Sequence, residues 1–184
     1  MSNTIRLKDI WLIPNLITIS RVLLLPLFIY FCFQENKTLE TIVIYLILMF
    51  SDVLDGFLSR RLNQVSNLGK LLDPLSDKIV ILGIAISLVW TKGFPLAYLI
   101  VLGIRDMILI VGAAFIYSSK HFVGQANFWG KMTTLSLSVL FFSYIWTPSI
   151  ILNYIFLILS IIIFTISTFI YFKNFYYNYK ESSD

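Results

Sequence analysis

Apolar residues in this chain gather into six long runs, at roughly 16–33, 40–58, 71–90, 95–117, 129–147 and 149–172. Crossing a hydrocarbon core as a helix takes about 20 apolar residues, and each run meets that length. Short alternating segments, the mark of a barrel, are not the pattern here. Ahead of the runs, Ile5, Leu7, Ile10, Trp11, Leu12 and Ile13 mix with Arg6, Lys8 and Asp9. That mixture predicts an amphipathic interfacial helix ended by Pro14. The expected architecture is therefore an all-α membrane protein: six transmembrane helices preceded by an N-terminal interfacial helix. We expect a single domain over residues 1–184, with an interfacial segment at 1–15, the helix bundle at 16–172 and a polar tail at 173–184. The first run is too long for a signal-peptide core, and no small-residue cleavage site follows it.

Composition narrows the class further. Of 184 residues, 58% are hydrophobic and 13% charged, which is too apolar for an ordinary soluble domain. Cys32 is the only cysteine, so no internal disulfide can form. Basic residues do not form a stripe with interleaved aromatics, so no nucleic-acid partner is expected. They divide between the two sides of the runs instead. Lys37 and Lys92 fall on one side. Arg6, Lys8, Arg60, Arg61, Lys70, Lys120, Lys131, Lys173 and Lys180 fall on the other. The richer side, with both termini, is expected in the cytoplasm. Trp11, Trp90, Trp129 and Trp146 lie near run ends, as interfacial anchors do, and His121 lies in a loop.

Four aspartates interrupt the apolar background: Asp52 and Asp55 at the end of the second run, Asp73 and Asp77 at the start of the third. Spacings of i, i+3 and i, i+4 put each pair on one helix face. Two consecutive antiparallel helices would carry both pairs to the same depth. One Asp at the centre of a membrane helix costs about 2.5–3.5 kcal/mol, and four together also repel one another. Divalent cations would compensate, and an all-oxygen site suits Mg²⁺, Mn²⁺ or Ca²⁺. A helix cap is the plainer reading for a single aspartate, and Asp73-Pro74 has that form. Four in matched pairs exceed what caps require. Arg60, Arg61 and Lys70, with Gly56 and Gly69 beside the carboxylates, add a cationic loop suited to a pyrophosphate-containing substrate. Arg61 is also explained by topology alone.

In order these residues read Asp52-x2-Asp55-Gly56-x2-Ser59-Arg60-x8-Gly69-x3-Asp73-x3-Asp77. The string resembles the signature of the CDP-alcohol phosphotransferases, membrane enzymes that join a CDP-activated lipid or alcohol to an acceptor. Ser59 departs from the family's usual alanine, and both residues are small. The resemblance implies that Asp52, Asp55, Asp73 and Asp77 bind metal, two Mg²⁺ or Mn²⁺ ions being expected. Asp77 matches the aspartate taken as general base, and Gly56, Arg60 and Gly69 match positions that hold CDP. A homodimer is also usual in the family.

Pro14-Asn15-Leu16-Ile17-Thr18-Ile19-Ser20-Arg21 resembles the N-terminal motif of the branch that uses CDP-diacylglycerol. That branch includes phosphatidylglycerophosphate and cardiolipin synthases. A bacterial inner membrane is the expected location, and the one-sided Lys and Arg distribution puts the site on the cytoplasmic face. Arg21, Arg105 and Lys131 are candidates for a phosphate on the acceptor, since charges inside a span are costly. Lys131 has a plainer reading as a snorkelling interfacial lysine. Glycerol 3-phosphate is the expected acceptor. Phosphatidylglycerol is the alternative, and Arg105-Asp106 followed by Gly112-Ala113-Ala114 leans that way. An ion-coupled transporter is the reading from a different class, because intramembrane acids also line ion pathways.

Overall fold

A computed structural model describes residues 7–62, 66, 68–119, 128–146 and 149–181. Six α-helices are present among the described residues, without a strand: α1 (Ile13–Cys32), α2 (Thr38–Arg61), α3 (Gly69–Lys92), α4 (Leu96–Ser119), α5 (Phe128–Trp146) and α6 (Ile150–Glu181). Each coincides with one of the six apolar runs. Three are long and apolar enough to cross a membrane over 13–32, 38–59 and 150–173. Large apolar side chains point outward on these helices, Leu23 and Ile151 each at 73% exposure. Such faces require an apolar surrounding or a partner.

Local departures from the sequence expectation have backbone reasons. Leu7–Trp11 is a short 3₁₀ helix, and the rest of the expected interfacial helix, Met1–Arg6, lies outside the described residues. Pro14 opens α1 instead of ending the segment before it. In a first turn its missing N–H is no loss, and its fixed φ suits the helix. Pro74 does not start a helix either. α3 begins at Gly69 and carries Pro74 as its sixth residue, so Asp73 is a helical residue and not a cap. The tail does not end the helix at 172: α6 continues to Glu181, and no Gly or Pro interrupts 173–181. At the end of α3, Gly93 takes φ 68° and its N–H returns to the Leu88 carbonyl, a left-handed stop that favours glycine.

The chain divides into two compact units, residues 1–94 and 95–184. In the first, α1 packs along both α2 and α3. Leu25 and Phe28 of α1, Tyr45 and Leu48 of α2, and Ile84 and Leu88 of α3 are buried together in its core. Phe28 and Tyr45 meet with ring centroids 6.4 Å apart. A methyl on Gly83 would stand 2.6 Å from Leu25 Cδ2, so α3 comes close to α1 there because position 83 has no side chain. In the second unit, α5 packs along α6. α4 meets α6 through two polar rungs seven residues apart on each helix. The Tyr98 and Ser160 hydroxyls lie 2.6 Å apart, and Arg105 Nη2 donates to Ser167 Oγ at 3.2 Å. Phe164 sits between the rungs, edge-on to Tyr98 and under the Arg105 guanidinium.

Candidate active site

The candidate site lies in the first unit, where α1 stands between the helices that carry the two aspartate pairs. Pro14, Asn15, Thr18, Arg21, Leu25, Phe28 and Cys32 are the buried residues of α1. They recur at three- and four-residue steps, so one stripe faces α2 and α3. At one end of that stripe the residues are polar.

Arg21 is 2% exposed and spends its guanidinium on three carboxylates. Nη1 donates to Asp52 Oδ1 at 2.5 Å and to Asp77 Oδ1 at 3.0 Å, while Nη2 donates to Asp55 Oδ2 at 2.6 Å. Nε is buried and has no hydrogen-bond partner among the described residues. Thr18, one turn earlier, places its hydroxyl 3.1 Å from Asp55 Oδ2 and 3.1 Å from Asp73 Oδ1. Ser76 of α3 donates to the Thr18 carbonyl at 3.2 Å. All four aspartates thus join one network through two residues of α1.

Solvent reaches the members unequally. The Asp55 side chain is 7% exposed, against 45% for Asp52 and 41% for Asp77. A buried carboxylate beside a buried guanidinium is strongly attracted, but both have lost their water. The half-exposed pair keeps room for a charged ligand. Among the described residues, no three acidic, histidine or cysteine side chains are gathered closely enough to hold a metal ion as they stand. The Arg21 Nη1 group bonds both Asp52 and Asp77. The donor set nonetheless fits a hard divalent cation: four carboxylates from two helices, three of them already drawn around one positive group, with two of those three open to solvent.

The glycines of the signature have distinct surroundings. Gly56 lies within α2, and its carbonyl accepts the Ser59 hydroxyl at 3.1 Å, so the serine that departs from the signature satisfies itself inside the helix. Gly69 opens α3 and is buried against α1. A methyl there would lie 2.6 Å from Asn15 Oδ1 and 3.2 Å from Ser66 Oγ. Asn15 Nδ2 donates to the Asp9 carbonyl at 2.6 Å and to Ser66 Oγ at 3.1 Å, and Gly69 N–H donates to that same Ser66 oxygen at 2.9 Å. Asn15 therefore ties the entry of α1 to the entry of α3.

The Arg60 and Lys70 side chains, the His121 loop, and the side chains of Gly112-Ala113-Ala114 lie outside the described residues. Arg105 and Lys131 belong to the second unit. Arg105 pairs with Asp106 at 3.1 Å besides its bond to Ser167, and stacks over Phe164 and Tyr171. Lys131 is exposed at the start of α5.

The sequence suggests an acceptor phosphate as the partner of Arg21, whereas the structure pairs it with Asp52, Asp55 and Asp77. Asn15 and Thr18 carry no role in the sequence pattern taken alone. Their signal was available: in an apolar helix, polar residues at positions 15, 18 and 21 fall on the stripe that must be buried, and buried polar groups need partners.

A family model described as CDP-alcohol phosphatidyltransferase matches residues 11–167. A CDP-diacylglycerol–glycerol-3-phosphate 3-phosphatidyltransferase of Aquifex aeolicus is 40% identical over 130 residues, covering 69% of this chain and 71% of that protein. A cardiolipin synthase (CMP-forming) of Streptomyces coelicolor is 33% identical over 134 residues, covering 70% of this chain and 62% of the relative. A second glycerol-3-phosphate 3-phosphatidyltransferase, from Wigglesworthia glossinidia brevipalpis, is 27% identical across 92% of this chain and 96% of its own length. With the four aspartates inside the matched region and joined through α1, the chain belongs to the CDP-alcohol phosphatidyltransferase family.

Proposed function

We propose that this enzyme transfers the phosphatidyl group of CDP-diacylglycerol to glycerol 3-phosphate, giving phosphatidylglycerophosphate and CMP. The observation that carries the reaction class is the four-aspartate network, in a chain matched to this family over residues 11–167. The acceptor follows the Aquifex relative, whose name states it. In the transfer, the acceptor hydroxyl oxygen bonds to the phosphatidyl phosphorus, the bond from that phosphorus to CMP breaks, and the hydroxyl proton leaves to a base.

Asp52, Asp55 and Asp73 are the proposed metal ligands, with Asp77 as a further ligand and the general base. Two Mg²⁺ or Mn²⁺ ions, when bound, would supply Lewis-acid stabilisation for the pyrophosphate and the departing CMP. Asp77 suits a base in being half open to solvent, where a hydroxyl can reach it. Arg21 holds the carboxylates in register and offsets their mutual repulsion. Gly56, Arg60 and Gly69 are proposed to hold the CDP moiety, as in the signature. Arg105 and Lys131 are proposed to serve the acceptor phosphate, with Arg21 as a third candidate for that role once a cation takes over its carboxylates.

Six membrane spans in one domain, with the site and both termini in the cytoplasm of a bacterial inner membrane, complete the reading. Its support is the six apolar runs and the one-sided distribution of Lys and Arg. A homodimer is the proposed assembly.

The second reading, transfer to phosphatidylglycerol to give cardiolipin, is favoured by the Streptomyces relative. Purified protein given CDP-diacylglycerol with either acceptor decides between them by the mass of the lipid product. Phosphatidylglycerophosphate supports the first reading. Cardiolipin, with no product from glycerol 3-phosphate, replaces it. No product with any acceptor overturns the activity.

A further inference from the structure

We propose that Thr18 is a positioning residue for the carboxylate site, spacing one oxygen of Asp55 and one of Asp73 about a single buried hydroxyl; the proposal rests on the metal-binding reading above. Thr18 is 1% exposed. Its Oγ1 stands 3.1 Å from three oxygens at once: the Pro14 carbonyl, Asp55 Oδ2 and Asp73 Oδ1. A hydroxyl has one proton and can donate to one of them at a time. One oxygen of Asp55 and one of Asp73 are thus brought to the same small group, within twice 3.1 Å of each other, and they share its single proton in turn. The helix frame enforces this. Asp55 comes from α2 and Asp73 from α3, and the Ser76 bond to the Thr18 carbonyl pins the same turn of α1 to α3.

The second feature is which oxygens are engaged. Thr18 and Arg21 both bind Asp55 through Oδ2, and Thr18 holds Asp73 through Oδ1. Each carboxylate is oriented through one oxygen, and the other stays outside these contacts. Orienting a ligand through one atom so that another faces the metal is the usual task of residues behind a metal site, and losing such a residue typically weakens metal binding by about 10–100-fold.

The test uses Mn²⁺ binding to the purified full-length protein, read by electron paramagnetic resonance, beside the metal dependence of turnover. Thr18→Val keeps the side-chain shape and removes the hydroxyl. Thr18→Ser keeps the hydroxyl and removes the methyl. Thr18→Val should weaken Mn²⁺ binding about 10–100-fold, with turnover recovering towards wild type at saturating metal. Thr18→Ser should bind Mn²⁺ nearly as wild type does. If the valine variant does not fold, judged by its melting curve and elution volume, Thr18→Ala takes its place in the same comparison. Wild-type affinity in the hydroxyl-free variant overturns the proposal while leaving the metal reading intact. Equal losses in the serine and hydroxyl-free variants also overturn it, since packing and not the hydroxyl would then matter. A wild-type protein that binds no Mn²⁺ removes the metal reading and this proposal with it.

Discussion

Arg21 Nη2 meets Asp55 Oδ2 at 2.6 Å with both side chains almost closed to solvent, at 2% and 7% exposure. Breaking a buried pair by removing one partner costs about 3–5 kcal/mol, because the remaining charge is stranded. Arg21→Met should therefore lower the melting temperature of the protein in a chelator, and added Mg²⁺ should restore part of the loss. A melting temperature equal to wild type in chelator would show that Arg21 is not the counter-charge of this cluster.

Activity should disappear on chelation and return with Mg²⁺ or Mn²⁺, because only oxygen ligands are on offer. The measurement is turnover in detergent across a titration of chelator, then of each cation. Full turnover at the chelator plateau would contradict the metal assignment.

Asp77→Asn and Asp52→Asn should resemble each other in turnover and differ in binding. An amide cannot take a proton at neutral pH, and loss of a general base typically costs 10²–10⁴ in rate, so about that loss is expected for Asp77→Asn. Its CDP-diacylglycerol affinity at fixed Mg²⁺ should survive. Asp52→Asn should lose affinity for metal, and for the nucleotide lipid with it. Equal binding losses in both variants would make Asp77 chiefly a metal ligand.

Gly69→Ala should be damaging for a reason that lies in α1. The added methyl meets Asn15 Oδ1 at 2.6 Å. If that clash is the cause, Asn15→Ala should make Gly69→Ala cheaper, with a coupling of about 0.5–3 kcal/mol between the two sites in melting experiments. Additive losses would point away from helix packing, to contact between Gly69 and the CDP moiety.

The fold was largely legible in the sequence because a long apolar run satisfies its own backbone groups most simply as a helix, whether it packs on a neighbour or crosses a membrane. All six helices appear where the runs predict them, and the errors fall at ends, where Pro14, Pro74 and the 173–181 tail depended on local continuation. A proline is compatible with stopping, starting or interrupting a helix, and its residue type does not say which.

The site divides along a different line. By itself the sequence determined the family and singled out four clustered carboxylates as its candidate site, because the spacing from Asp52 to Asp77 lies within one stretch of chain. Only the tertiary structure decided what stands between the two pairs. From the sequence, consecutive antiparallel helices bring both pairs to the same depth; in the folded protein α1 packs against both α2 and α3, and its Thr18 and Arg21 complete the network. Those contacts join residues 31 to 56 positions apart. Whether Arg21 faces a phosphate or three aspartates depends on the rotation of α1 about its axis. That rotation is set by the packing of Leu25, Phe28 and Gly83 in the core below. No local pattern of residues records it, since the apolar faces that decide it lie on three separate helices.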